Sequence, residues 1–354
     1  MSTVNETGVT QKCEKCQGDL VFDAQNQVLT CQKCGNALLV TDQDGNLEKS
    51  FSELLMNAPT WQKDASVFQC QHCGAKSIIS KFDIVAECDY CGANNINEIK
   101  EIPGVRPDAV VLFNLSKEEV QKKVHTWLSK RYFAPNDFKQ MVANRQLHGV
   151  YFPVFNFDAC VDTKYNGIQI VSHTVSVDVD GETVTRTEDF HHPLYGIDKH
   201  TFDDVLVLAN EEITAQTLKS LQPFDTKKSK PFQQAYLSGY GVSQASKEPT
   251  QAWDDAKRQM EEVIRRKIKH QHSGVRIENL KLDMEITDVK YKYALLPIYV
   301  GRTEYKGKKY ELYVNGQTGK VYGKTPKSKW KVFTFFATMG TIVAGLGILL
   351  AMFL

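Results

Sequence analysis

Four Cys-x-x-Cys pairs constrain this chain more than any other feature: Cys13/Cys16, Cys31/Cys34, Cys70/Cys73 and Cys88/Cys91. The second four cysteines stand 57 residues after the first four, one by one, and Gly92 stands 57 after Gly35. This is an internal repeat of one module. A tetrahedral metal ion needs four thiolates at about 2.3 Å, and two tight Cys-x-x-Cys turns supply them when a short hairpin brings the turns together. Fourteen residues between the paired turns suit such a hairpin. A module of about thirty residues buries too little surface to fold alone, so the energy of metal binding becomes folding energy. The expected ligands are Cys13, Cys16, Cys31 and Cys34 for one structural Zn2+, and Cys70, Cys73, Cys88 and Cys91 for a second. Four sulfurs close each shell and leave no position for a catalytic water.

Other readings of the same cysteines differ in cost. Spacing alone leaves iron open, because iron also accepts four thiolates. A redox dithiol would be expected once, not four times in register, and a reducing cytoplasm opposes stable disulfides. His72, inside Cys70-Gln-His-Cys73, is an alternative ligand. Cys160 stands alone in an apolar run and reads as a small buried hydrophobe.

Charge and the two ends suggest an address. Lys plus Arg (43) nearly balance Asp plus Glu (42) over 354 residues. Residues 1–100 carry eight lysines and no arginine against thirteen acids, so nucleic acid is not an expected partner of the ribbons. Met1 to Thr10 is polar and does not resemble a secretory signal. From Val332 to Leu354, 23 residues carry no charge. As a helix they would reach about 34 Å, against a hydrocarbon core of about 30 Å, and a membrane span is expected. Lys320, Lys324, Lys327, Lys329 and Lys331 precede the run and nothing basic follows it, which places the body in the cytoplasm and makes the chain tail-anchored in the cell membrane. Trp330 and Phe333 fit an interfacial anchor. Gly340 and Ala344 offer a small-xxx-small face through which this helix could form a homo-oligomer.

The middle reads as a mixed body. Ser116 and Glu119 form a capping box, with Leu115 and Val120 as a staple, and Val120, Val124, Trp127 and Leu128 share one face. Val175, Val177 and Val179 alternate into Asp180-Gly181 and out through Val184, a hairpin signal. Ala256, Met260, Val263 and Ile264 recur at helical spacing. Val150 to Phe155 (VYFPVF) with Tyr165-Asn-Gly167 resembles Ala294 to Tyr299 (ALLPIY) with Tyr305-Lys-Gly307. Proline cannot donate to a ladder, so both segments are expected at strand ends or sheet edges.

The expected fold class is multidomain α+β: two small zinc ribbons, a mixed α/β body with antiparallel strands, and one C-terminal transmembrane helix. The boundaries are ribbon 1 at 1–45, a linker at 46–65, ribbon 2 at 66–100, a linker at 101–108, the body at 109–325, a basic juxtamembrane segment at 326–331 and the span at 332–354. No enzyme is expected. Gly319 to Thr325 has one residue too few between its glycines for a phosphate-binding loop, and Gly239-Tyr-Gly241 lacks the third glycine of a dinucleotide fingerprint. His191, His192 and His200 are the residues an enzyme reading would use.

The double ribbon, Arg106-Pro-Asp108, Gly149 to Phe155 (GVYFPVF), Ala235 to Tyr240 (AYLSGY), Leu295 to Tyr299 (LLPIY) and Asn315 to Lys320 (NGQTGK) resemble bacterial TFIIB-type zinc ribbon-containing proteins. The resemblance covers nearly the whole chain, and the eight cysteines match that family's ligands. Some of its members end in a membrane segment and are associated with phage-shock and SPFH (flotillin-like) membrane-stress systems. The resemblance therefore implies a membrane-anchored adaptor whose protein partner is of the SPFH or phage-shock type. A nucleic-acid-binding ribbon and an uncharacterised enzyme using the His191 to His200 region are the alternatives.

Overall fold

The hairpin signalled around Asp180-Gly181 is far longer than its signal. In the computed structural model, which describes residues 13–40, 48–52, 65–80, 88, 90, 93, 96–99, 105–179 and 182–353, three strands of 32, 27 and 30 residues dominate the chain. Asp180 and Gly181 lie outside the described residues. The register pairs Val179 with Glu182 and continues to Val154 with Leu208.

In the first cysteine repeat, β1 (Leu20–Asp23), β2 (Val28–Cys31) and β3 (Ala37–Leu39) form an antiparallel sheet in that order. The short β4 (Lys49–Ser50) follows. In the second repeat, β5 (Ala65–Cys70) lies between β6 (Lys76–Ser80) and β7 (Ile96–Ile99). The body begins with β8 (Ala109–Val110), α1 (Lys117–Ser129) and α2 (Asn136–Ala143). Next come the hairpin strands β9 (His148–Val179) and β10 (Glu182–Leu208), then α3 (Ala215–Leu221), β11 (Lys230–Pro231) and β12 (Gly241–Val242). Last are α4 (Pro249–Gln271), β13 (Arg276–Tyr305), β14 (Lys308–Asn315), β15 (Val321–Gly323) and α5 (Lys329–Phe353). The main sheet runs β10-β9-β13-β14-β15.

Alternation along these strands sorts the core by face. Tyr151, Leu295 and Tyr299 pack with Val120, Val124 and Leu128 of α1 and Phe138 of α2. Val150, Phe152, Val154, Leu296 and Ile298 point the other way, against Leu218 and Leu221 of α3. Farther along the sheet, Phe155, Phe157 and Val161 meet Ala252, Ala256, Met260, Ile264 and Ile268 of α4. The capping box of α1 is made as read: the Ser116 hydroxyl accepts from the Glu119 N–H, and the Glu119 carboxylate accepts from the Ser116 N–H at 2.8 Å.

Three expectations need correction. The fold is not a balanced α+β body but mostly β-sheet, 45% strand and 26% helix, because single strands here run several times the usual length. Neither proline is at an edge: Pro153 pairs opposite Leu295, and Pro297 opposite Tyr151, within the central strands. Each proline sits where its strand changes partner, so its missing N–H interrupts no ladder. Pro153 lies between the last β10 pair, at Val154, and the β12 pair at Tyr151. Pro297 lies between the β8 pair at Leu295 and the β14 pair at Ile298.

The third correction concerns residues 332–354. Among the described residues no helix is long and apolar enough to cross a membrane. α5 carries Lys329 and Lys331 in its first turn. Its start belongs to the body: Lys331 Nζ donates to the Ala134 carbonyl at 2.8 Å and to Asn136 Oδ1 at 2.7 Å, and Phe335 meets Phe133 edge to face. The expectations built on a span are corrected with it, namely the tail anchor, the single-pass cell-membrane location, homo-oligomerisation through that helix and a partner met at the bilayer.

The ribbons pack on the body. Each is docked on the main sheet, ribbon 1 on the face of Tyr151 and ribbon 2 on the face of Phe152.

Candidate metal centres

Both centres are built from hairpin turns that aim sulfur inward. In the first, the Cys13 N–H donates to the Gly18 carbonyl at 2.8 Å and the Gln17 N–H to the Cys13 carbonyl at 2.8 Å. Its second turn repeats the scheme, with Cys31 N–H to Asn36 O and Gly35 N–H to Cys31 O, both 2.9 Å. In the second centre, Cys70 N–H to Ala75 O is 3.0 Å, Gly74 N–H to Cys70 O is 2.9 Å, and Cys88 N–H to Ala93 O is 2.8 Å. The residue after the second cysteine of a turn takes positive φ at Gln17 (58°), Gly35 (70°) and Gly74 (78°). Sequence reading matched only Gly35 to Gly92. Gln17 and Gly74 hold the same place 57 residues apart, and because Gln17 is not a glycine the repeat gave no matched signal there.

The sulfurs converge. Cys13 and Cys34 Sγ are 3.6 Å apart, Cys16 and Cys31 3.4 Å, and Cys73 and Cys88 3.8 Å. A tetrahedral ion with bonds of about 2.3 Å has ligand-to-ligand edges of about 3.8 Å, so these spacings fit one. Cys13, Cys16, Cys31 and Cys34 form one cluster that could hold a metal ion, and Cys70, Cys73 and Cys88 form another. Cys91 lies outside the described residues. Gly18, unremarked in the sequence, is needed for closure: a Cβ there would stand 2.8 Å from Lys33 Cβ and 3.1 Å from Cys31 Sγ.

Electrostatics favour thiolate in part of the first centre. The Cys34 N–H, followed by that of Lys33, holds the Cys31 thiol down to about 6. At Cys16 the Gly18 N–H pulls downward, but the neighbouring sulfur of Cys34 and burial together push the thiol up to about 12. Opposed pushes on neighbouring sulfurs of one cluster are what a dication resolves by attracting all four as thiolates. Beside the second centre, Arg302 forms an ion pair with Glu311 at 3.0 Å and lies 5.3 Å over the Tyr90 ring. Burial there works against the charged guanidinium, but Glu311 and the Cys73 sulfur hold it charged.

Docking fixes both centres to the sheet. From ribbon 1, the Phe22 N–H donates to Ser238 O at 3.0 Å, Gln27 Nε2 donates to Phe113 O at 3.0 Å, and the Phe22 ring meets Tyr236 edge to face at 5.4 Å. From ribbon 2, the Lys76 N–H donates to Glu212 Oε1 at 2.8 Å, and Ser243 Oγ donates to Glu212 Oε2 at 3.1 Å. Burial raises the Glu212 carboxyl above its ordinary range. Tyr90, also from ribbon 2, packs edge to face on Phe152 at 5.9 Å.

Comparison with known proteins adds one relative. No family model matches the chain, and no solved structure matches it. The chain is similar to a protein of Bacillus subtilis (strain 168) named Uncharacterized protein YdjG, 26% identical over 340 residues. The similarity covers 95% of this chain and 96% of YdjG, so it spans ribbons and body together.

Other residues singled out in the sequence are not gathered. His191 and His192 are successive on β10, so their side chains leave opposite faces of the ribbon, and His200 packs against Phe202 at 4.4 Å. His72 and Cys73 line a cleft of about 530 Å³ with Arg145, Arg302, Lys309 and Glu311, a wall of mixed charge. Cys160 is half-buried, its Sγ 3.9 Å from Thr201 Oγ1, where a fully buried residue was expected. Sequence reading also missed the outer face of the hairpin. Leu194, Asp198 and Phe202 turn toward α4, with Lys267 Nζ on Asp198 at 2.7 Å, and the intervening Tyr195 and Ile197 are 78% and 69% exposed.

Proposed function

We propose that this protein is a non-enzymatic adaptor in which two zinc ions lock the ribbons onto opposite faces of a sheet, and the outer face of the long hairpin binds a protein partner. The observation that carries this reading is the exposure of Tyr195 and Ile197 side by side on one strand face, beside the Lys199–Asp162 ion pair at 2.9 Å. Large apolar side chains inside a polar rim are the composition of protein–protein contact cores. Zinc is favoured for the cysteine clusters because a closed shell of four sulfurs in paired hairpin turns is the arrangement of structural zinc sites. The ribbons' inner surfaces are spent on the sheet, so the metals act through rigidity and the hairpin presents the contact.

Affinity capture with the full chain tests this, wild type against the double variant Tyr195→Ser/Ile197→Ser. Wild type should recover a defined protein that the variant loses, while both keep two equivalents of zinc by metal analysis. Equal recovery by both chains would remove the hairpin face from the reading, and zinc-free protein of unchanged stability would remove the metal role.

A further inference from the structure

A bulge in the hairpin gathers three aspartates. Between Phe202 and Val205 the β10 register slips, so Asp203 and Asp204 together oppose Asp158 of β9. Two residues facing one is the geometry by which a bulge re-aims side chains. Asp204 takes the left-handed conformation, φ 62°, and its N–H donates to Asp158 Oδ1 at 2.7 Å. Carboxylate oxygens of Asp158, Asp203 and Asp204 all lie within 4.8 Å of one another. A bound of this size is compatible with one Ca2+ ion, whose oxygen ligands sit at about 2.3–2.6 Å from it.

A second observation comes from a neighbouring side chain. Asn156, only 2% exposed, lies two residues before Asp158 on the same face of β9. Its Nδ2 donates to Asp204 Oδ1, which places the amide against the cluster, and its Oδ1 is buried without a hydrogen-bond partner. Such an orphaned carbonyl is costly unless something fills its lone pairs. The two amide atoms share one carbon and exchange places by a half-turn, so the oxygen can be presented to the same space.

The charges around the cluster do not neutralise it. Lys227 Nζ meets Asp203 at 2.9 Å on the exposed side. Buried Lys292, the register partner of Asn156, donates to the Thr226 carbonyl at 3.3 Å, and Thr226 Oγ1 donates to Asp204 Oδ1 at 2.5 Å. Lys290 is turned to Asp288 at 3.8 Å. Among the described residues neither Asp158 nor Asp204 has an ion-pair partner. Burial raises the Asp158 carboxyl, and Glu48, Asp204 and Asp203 push it the same way.

We propose that Asp158, Asp203 and Asp204, with the side-chain carbonyl of Asn156, bind one hard divalent cation of the Ca2+ class, at a site separate from the cysteine centres. An all-oxygen donor set selects such a cation, as thiolates select zinc. The ion would brace the bulge at which the platform holding the ribbons gives way to the arm backed by α4. The site stands whether or not the hairpin face binds a partner.

The test is calorimetric titration of the full chain, zinc-loaded and freed of other cations, with CaCl2 and separately with MgCl2. One equivalent of Ca2+ should bind, more tightly than Mg2+, and raise the unfolding temperature. Asp204→Asn tolerates the left-handed backbone but removes a charged ligand, and should weaken Ca2+ by about tenfold or more. Asn156→Asp adds an acid to the cluster, so it should lower stability without Ca2+ and regain it with Ca2+. The proposal is overturned if wild type takes up no Ca2+ by roughly 10 mM, beyond the range of weak protein sites. It is equally overturned if Asp204→Asn binds as wild type does, or if Asn156→Asp gains nothing from Ca2+.

Discussion

Removing the metal should unfold far more than the ribbons. Leu20, Phe22 and Leu29 of ribbon 1 are at most 1% exposed and share one core cluster with Phe113, Tyr151, Tyr236 and Leu295 of the body. Each such side chain contributes about 1.5–3 kcal/mol by leaving water, so undocking ribbon 1 forfeits about 5–9 kcal/mol, an upper figure set by the extended-chain reference. A domain's whole stability is about 5–15 kcal/mol. The body should therefore lose most of its stability when chelation opens the first centre. The assay is denaturant unfolding followed through the body tryptophans Trp127 and Trp253, with and without a zinc chelator, alongside Phe22→Ala in the metal-loaded protein. Chelation should move the single transition to much lower denaturant, and Phe22→Ala should cost about 3–5 kcal/mol with both metals retained. Two separate transitions, with the tryptophan signal unmoved by chelator, would refute the reasoning.

Further outcomes follow from single residues. Cys70→Ser should remove one of two metal equivalents, measured by native mass spectrometry, and leave the centre of Cys13, Cys16, Cys31 and Cys34 filled; colourless protein would separate zinc from iron in both. Gly18→Ala places a methyl against Lys33 and Cys31, so metal affinity at the first centre should fall in a competition titration while the second is unchanged. Glu212 has a native pKa raised above its unfolded value near 4.3, so the folded state holds a proton that the unfolded state has released. Stability from this group is present at pH below that unfolded value and is lost as pH rises through the native one. Glu212→Gln keeps an acceptor for the Lys76 N–H and removes the titrating group, and unfolding measured across that window should show the slope removed.

The second centre also shows how a buried acid and a buried aromatic serve attachment. Tyr90 is fully buried between the ribbon and the sheet, and burial raises its hydroxyl well above the ordinary range. Glu212, Ser243 and Asn210 form a polar seam beneath it, with Asn210 Nδ2 donating to Ser243 Oγ at 2.5 Å. A polar seam of this kind fixes one docking geometry where an apolar contact alone would tolerate several.

What the sequence determined by itself was local. The Cys-x-x-Cys spacing places sulfurs in turns, Ser116 and Glu119 close a capping box three residues apart, and alternating valines set the pairing of β9 with β10. Each is fixed by neighbours within a few residues or by an exact repeat, and each is present in the fold. Only the tertiary structure decided which surfaces meet. Pro153 and Pro297 are accommodated because strands β8, β10, β12 and β14 begin or end beside them, which no local pattern encodes. The ribbons are clamps on the sheet and not a free head, because Phe22 and Tyr90 find partners more than sixty residues away in Tyr236 and Phe152. The aspartate cluster exists only because one strand slips its register against another. Short-range chemistry is written in adjacent residues, whereas burial depends on which distant surfaces exclude water together.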